Sequence, residues 1–276
     1  MVAPYPHGIE ELDEATFVAI RRIVFDQSGI SLKGDKRTLV AGRLAKRMRK
    51  LGIPSYRAYL KQLKDCKTGE ELTFLLDAIS TNVTSFYREA DHFDLLRSAY
   101  GEWRAQGQTR FRIWCAASSS GEEPYTIAIT LQDVGVRGAD VKILATDIST
   151  EILRRAMRGR YTKKVVEPVP AMLRSKYFTR LGDDDYQVVD TLRDMVTYRQ
   201  ANLSRLPTPL KGPLDVVFCR NVMIYFEEEL RRRLVEEFDR LLKPGGYLIV
   251  GHSESLVGIQ RGLKMIRPSV YRKDPA

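Results

Sequence analysis

A run of small residues followed by two acids, Ala116-Ala117-Ser118-Ser119-Ser120-Gly121-Glu122-Glu123, stands directly after the apolar stretch Phe111-Arg112-Ile113-Trp114-Cys115. Such a turn lets a ligand approach the backbone closely, outside the carboxyl end of a strand. A second apolar stretch, Val141 to Thr146, ends on Asp147. That is where a nucleoside-binding fold places the acid that accepts hydrogen bonds from ribose hydroxyls, about 20 residues past the turn. The turn lacks a G-x-G-x-x-G pattern, and Glu122 and Glu123 at a helix start would repel a pyrophosphate. Dinucleotides and nucleoside triphosphates are therefore disfavoured. A cationic sulfonium bearing an ammonium group, as in S-adenosylmethionine (SAM), suits the same acids. Each feature also has a plainer reading: Asp147-Ile148-Ser149 as a turn and helix cap, and Glu122-Glu123 as complements to a helix dipole.

The elements around these residues alternate. Strands are expected at 111–115, 141–146, 214–219 and 247–250, with helices at about 123–131, 150–157 and 227–242. Strands alternating with helices imply a parallel, doubly wound sheet. Between Tyr161 and Ala201 the rhythm breaks into prolines, a short helix at 171–177 and a hairpin turning at Gly182-Asp183-Asp184-Asp185. This reads as a small β insertion, with Met195 to Arg199 rejoining the main sheet.

The first third has helical periodicity instead, with helices at about 11–27, 36–50, 56–64 and 69–80. Ser55 suits an N-cap, and Gly29 and Gly52 suit stops. The second helix carries an apolar stripe and an opposing basic one, Arg43, Lys46, Arg47 and Lys50. That stripe is either a solvated face or a docking surface for something acidic. The organisation expected is a helical domain over 1–84, a connecting segment over 85–100, and an α/β domain over 101–276 containing the insertion at 161–201.

Of 276 residues, 43% are apolar, enough to build a sizeable core and to exclude wholesale disorder. The three cysteines, Cys66, Cys115 and Cys219, are scattered, and with only three histidines no metal site is expected. Buried, inert thiols are the expectation for Cys115 and Cys219. The polar, proline-bearing Met1–Glu10 is not a signal peptide, and no apolar run approaches a membrane span. A cytoplasmic monomer is expected. The net charge of +10 favours an acidic partner without naming it.

Several segments resemble the chemotaxis-receptor methyltransferases, the CheR family. They are Thr81-Asn82-Val83-Thr84-Ser85-Phe86-Tyr87-Arg88-Glu89, Trp114 through Tyr125, Ala145-Thr146-Asp147-Ile148-Ser149, Phe218-Cys219-Arg220-Asn221-Val222-Met223-Ile224-Tyr225-Phe226, Leu242 through Leu248, and His252-Ser253-Glu254-Ser255-Leu256. They occur in the family's order across most of the chain. Gly121-Glu122-Glu123-Pro124-Tyr125 and Cys219-Arg220-Asn221 are its most specific parts; many members have Thr where Ser120 stands.

The resemblance implies a helical N-terminal domain, a Rossmann-like SAM domain and an inserted β subdomain. It implies transfer of methyl from SAM to specific glutamates on chemoreceptor cytoplasmic helices, leaving S-adenosylhomocysteine and a glutamate methyl ester. By motif it implies cofactor contacts at Asn82, Thr84, Arg88, Glu122, Asp147, Asn202, Leu203, Arg220 and Asn221. The chemistry of the step adds two candidates: Arg88, to fix the substrate carboxylate by a charge-assisted hydrogen bond or else to form an ion pair with Glu89 or Glu122, and Tyr225, to orient that carboxylate or contact the sulfonium or else to pack against the sheet. That carboxylate is already ionised at neutral pH, so no general base is required. The lack of a His/Asp or Cys/His constellation fits such chemistry. The basic stripe acquires a glutamate-rich receptor helix as its expected target. A nucleic-acid methyltransferase fits less well, because Arg220-Asn221-Val222-Met223 replaces the Asn/Asp-Pro-Pro-aromatic segment of base methyltransferases. A non-catalytic SAM-binding signalling module is the other alternative.

Overall fold

The computed structural model describes residues 11–32, 36–80, 82–135 and 140–275. The N-terminal segment 1–10 therefore lies outside the described residues. The chain divides into two units, 1–81 with 225–227, and 82–224 with 228–276.

The first unit is helical: α1 (Glu14–Ser28), α2 (Arg37–Leu51), α3 (Tyr56–Asp65) and α4 (Glu70–Ile79). Asp13 caps α1 by accepting from the Thr16 N–H at 2.8 Å, and Ser55 caps α3 through the Ala58 N–H at 3.2 Å. Gly29 and Gly52 close α1 and α2 in the left-handed region. Phe17, Ile20 and Val24 of α1 and Val40, Leu44 and Met48 of α2 are buried at helical spacing.

The second unit opens with α5 (Asp91–Ala105). Most of the segment 85–100, expected as a connection, lies in this helix. Phe93, Leu96, Tyr100 and Trp103 recur at helical spacing, and they are buried in the core of the sheet domain. Then follow β1 (Phe111–Cys115), α6 (Glu122–Asp133), β2 (Val141–Asp147), α7 (Thr150–Arg158) and β3 (Arg160–Thr162). Next come α8 (Lys163–Val166), α9 (Ala171–Tyr177), β4 (Phe178–Arg180), β5 (Asp185–Val188), α10 (Asp190–Arg193) and β6 (Val196–Gln200). The chain closes with β7 (Leu214–Cys219), α11 (Glu228–Leu241), β8 (Leu242–Val250), β9 (Leu263–Arg267) and β10 (Val270–Lys273).

Seven strands form one sheet in the order β6-β2-β1-β7-β8-β10-β9. Every pair from β6 to β8 is parallel, and β10 pairs antiparallel to both β8 and β9. All six residues of β7 are buried, as a central strand covered on both faces requires. On β1, Ile113 and Cys115 join the cluster that holds Phe93 and Tyr125, while Trp114 meets Phe238 of α11 edge-on. The fold is the expected Rossmann-like α/β sheet preceded by helices. The terminal hairpin of β9 and β10 is an addition to that expectation.

The insertion has three strands rather than a two-stranded hairpin, because β3 joins in the order β3-β5-β4. Its Tyr161, Val166, Leu173, Tyr177 and Val188 share one core with the main sheet. No helix among the described residues is long and apolar enough to cross a membrane.

Candidate functional site

Strand order reverses between β1 and β7: the chain runs outward through β2 and β6, then returns to the far side of β1. Ligands of open α/β sheets bind at such a switch point, beyond the carboxyl ends of the strands. The residues leaving β1, β2 and β7 here are the small turn, Asp147 and Arg220-Asn221.

The small turn is held open by tight packing below it. At Gly121, with φ of 98°, a Cβ would stand 2.7 Å from Tyr161 Oη and 2.9 Å from Ala156 Cβ. Tyr161 Oη donates to the Ser120 carbonyl at 2.8 Å. Asp147 holds the turn from the other side, accepting from the Ser119 N–H at 2.9 Å and the Ser149 N–H at 3.1 Å. Its carboxylate therefore braces the loop and caps its own turn. The Ala201 N–H donates to the Asp147 carbonyl at 3.0 Å, which anchors the segment leading to Asn202 and buried Leu203. Asn202 Oδ1 accepts from both the N–H and the hydroxyl of Ser204, fixing that segment as a turn. Asn82 joins through its carbonyl, which accepts from Ser119 Oγ at 3.2 Å, and half-buried Thr84 follows it.

Glu122, at the first turn of α6, is only 3% exposed. Ser120 Oγ donates to it at 2.6 Å, and among the described residues no cationic side chain reaches it within ion-pair distance. Burial pushes its carboxyl above the ordinary range, with the Ser120 hydroxyl and distant Arg155 only partly opposing. A buried carboxylate lacking a counter-charge is costly, and a ligand ammonium would relieve that cost.

Arg220 has a different surrounding from the one implied by resemblance. Its guanidinium is buried and donates to Glu123 Oε2 at 2.7 Å, to Glu89 Oε2 at 3.0 Å and to the Arg88 carbonyl. The side chain is thus occupied in joining three segments. Burial disfavours its charge, but Glu123 and Glu89 outweigh that and raise its basicity. Burial likewise pushes Glu89 up, and Arg220 with Asn221 more than reverses it. Asn221 Nδ2 donates to Glu89 Oε1 at 3.3 Å. Arg88, half-exposed, donates to the Val83 carbonyl at 2.8 Å and lies 3.9 Å from Glu89.

Glu254 shapes the turn after β7. Its buried carboxylate accepts from the backbone N–H groups of Gly251 at 2.6 Å, Asn221 at 2.7 Å and Ile224 at 3.2 Å. A Cβ at Gly251 would stand 2.4 Å from Asn221 Nδ2, so only glycine fits beside that amide. Non-glycine residues with positive φ gather here: Tyr87, Glu89, Ser119 and Asn221. Such backbone persists only where surroundings over-determine it, commonly at functional sites. Glu89 and Glu254 are the participants that motif reading left without a role, and Glu123, read beside Glu122 as an acid suited to a cationic ligand, is instead the partner of Arg220. Cys115 and Cys219 are fully buried, and burial pushes both thiols up.

Tyr225 closes a short 3-10 turn (Met223–Tyr225) and groups with the helical unit, its carbonyl accepting from the Ser31 N–H at 2.8 Å. In that unit the basic stripe is split. Arg43 donates to the Ile79 carbonyl at 2.5 Å, and Arg47 donates from Nη2 to Glu71 at 2.7 Å while lying 3.7 Å over the Phe74 ring. Their places on the helix aim them at α4. Lys46 and Lys50 stay exposed, joined by Arg49.

Residues 82–271 match the family model described as "CheR methyltransferase, SAM binding domain", and residues 15–80 match "CheR methyltransferase, all-alpha domain". A chemotaxis protein methyltransferase of Borreliella burgdorferi is 38% identical over 92% of this chain and 92% of its own. Chemotaxis protein methyltransferase 2 of Pseudomonas aeruginosa is 39% identical over 92% and 91%. The Escherichia coli chemotaxis protein methyltransferase is 36% identical over 94% and 91%.

Proposed function

The chain belongs to the CheR methyltransferase family, and from that premise we propose that it methylates glutamate side chains on the cytoplasmic helices of chemoreceptors, acting in the cytoplasm with SAM as donor. The observation that carries the reading is Glu122, buried at the cofactor turn with no cationic partner among the described residues. A ligand with an ammonium beside a sulfonium supplies what that carboxylate lacks. SAM, when bound, supplies a methyl group electrophilic enough for a carboxylate to accept directly.

The protein's own task is then to orient and desolvate that carboxylate, an alignment worth several kcal/mol at the order of magnitude. Asp147 accepts ribose hydroxyls while bracing the turn. Asn82, Thr84 and the segment at Asn202-Leu203 line the same site. Arg220 acts by position: it ties Glu123 on α6 to Glu89 and the Arg88 carbonyl. Arg88 can exchange its Val83 carbonyl for the substrate carboxylate, with a charge-assisted hydrogen bond as the gain. Lys46 and Lys50 remain the docking charges for an acidic receptor helix.

The test is transfer of labelled methyl from SAM to a purified receptor cytoplasmic fragment, read as methanol released by base. Wild type is run beside Arg88→Ala and Asp147→Ala. Base-labile label that both substitutions reduce at least tenfold is expected. Binding of SAM with no label on any receptor of a panel would instead mark a non-catalytic module.

A further inference from the structure

Three histidines in the whole chain make a histidine-based metal centre improbable on composition, yet two of them meet. His92 is fully buried on α5, and its ring lies edge-on to half-exposed His252 at 4.9 Å between centroids. One donor atom each from Glu89, His92 and His252 falls within 4.8 Å of the others.

Ser269 Oγ lies 2.6 Å from the Pro268 carbonyl and 2.7 Å from Nε2 of His92. In the tautomer in which this hydroxyl donates to the carbonyl and accepts from Nε2, Nδ1 presents a lone pair. That Nδ1 is buried, has no hydrogen-bond partner among the described residues, and faces Glu89 Oε2 at 3.6 Å. Two acceptors face each other across a gap that a cation would bridge.

We propose that Glu89, His92 and His252 bind a divalent transition-metal cation of the zinc class. Two imidazole nitrogens and a carboxylate favour zinc, cobalt or nickel over magnesium or calcium. A tetrahedral zinc ion holds its donors about 3.3 Å apart, from bonds of roughly 2.0 Å. The His92–Glu89 pair nearly has that spacing already, and the half-exposed His252 side chain has room to close the rest. Ser269 provides the outer hydrogen bond that fixes a ligating imidazole. Asp91 Oδ1, 3.2 Å from His252 Nε2, adds negative charge at the exposed edge. The metal would share Glu89 Oε2 with Arg220, so occupancy bears directly on the bridge that links α6 to the Arg88 carbonyl.

The experiment titrates chelator-treated, tag-free chain with Co²⁺, followed by visible absorption and equilibrium dialysis. Zn²⁺ is then added as competitor. A Cys66→Ser background removes the one half-exposed thiol. One Co²⁺ per chain, displaced by Zn²⁺, is expected. His252→Ala should weaken binding at least tenfold with an unchanged melting temperature, and His92→Gln should do the same if it folds. Absence of stoichiometric uptake, or equal uptake by His252→Ala, would overturn the proposal.

Discussion

Glu71 in the helical unit and Glu122 in the sheet domain are both buried, at 4% and 3% exposure, and each stands near the start of its helix. Their surroundings differ in kind. Glu71 receives three hydrogen-bond contacts from Arg47, through Nε at 3.2 Å to each oxygen and Nη2 at 2.7 Å. Glu122 receives one, from a neutral hydroxyl. The first charge is matched within its own unit and belongs to architecture. The second has no counter-charge among the described residues. A buried acid therefore says little until its counter-charge is located, and the missing counter-charge is the functional signal.

The comparison is broken most sharply at Arg47. Arg47→Ala strands the Glu71 charge and should cost about 3 kcal/mol, because one partner of a buried pair is removed. Chemical denaturation would read this in the helical unit, and Glu71→Gln should destabilise in the same direction. Glu122→Gln should do the opposite to stability, leaving the melting temperature unchanged or higher. It should weaken SAM binding by about 1.5–3 kcal/mol, the range for a hydrogen bond to a charged group, as read by calorimetry.

The same glutamate sets a pH signature. Its folded-state carboxyl lies above the unfolded value, so the folded chain holds more protons between the two. Stability from this group is then greatest at low pH and falls as pH rises through the folded value. Affinity for SAM runs the other way, increasing over that window as the carboxylate forms. Glu122→Gln should flatten the binding profile; a profile unchanged by it would assign the titration elsewhere. Glu254, also raised by burial against its backbone donors, adds to the stability slope with the same sign.

The smallest effects belong to Lys46 and Lys50. Lys46→Glu with Lys50→Glu should alter stability by less than about 0.5 kcal/mol, as exposed substitutions do. The KM for receptor should rise severalfold at low salt and converge with wild type at high salt, while SAM affinity holds.

Local signals were enough for most of the elements. β1 and β7 lie where their apolar runs place them, and the caps at Ser55 and Gly52 hold. The third insertion strand was less legible, since Arg160–Thr162 is three residues with one buried side chain. Pro244-Gly245-Gly246 reads as a turn, but β8 runs through it, with its register shifting between Leu214 and Val216. At the site, Glu122 and Asp147 could be picked out because a position after a strand carries meaning. The partners of Arg220 could not. Glu123 lies 97 residues away and Glu89 131 residues away, and charge pairing at that separation leaves no periodic trace. Arg43 and Lys46 look alike in sequence; only the placement of α4 makes one internal and the other external.

Tyr161 is the first buried residue of the insertion, and its hydroxyl is wedged beneath Ser120-Gly121. For protein engineering this limits modularity. Exchanging the insertion between relatives must carry a tyrosine at this position and a glycine opposite it. A graft cut downstream of β3 keeps that joint, whereas one cut upstream exchanges part of the cofactor turn's foundation along with the subdomain.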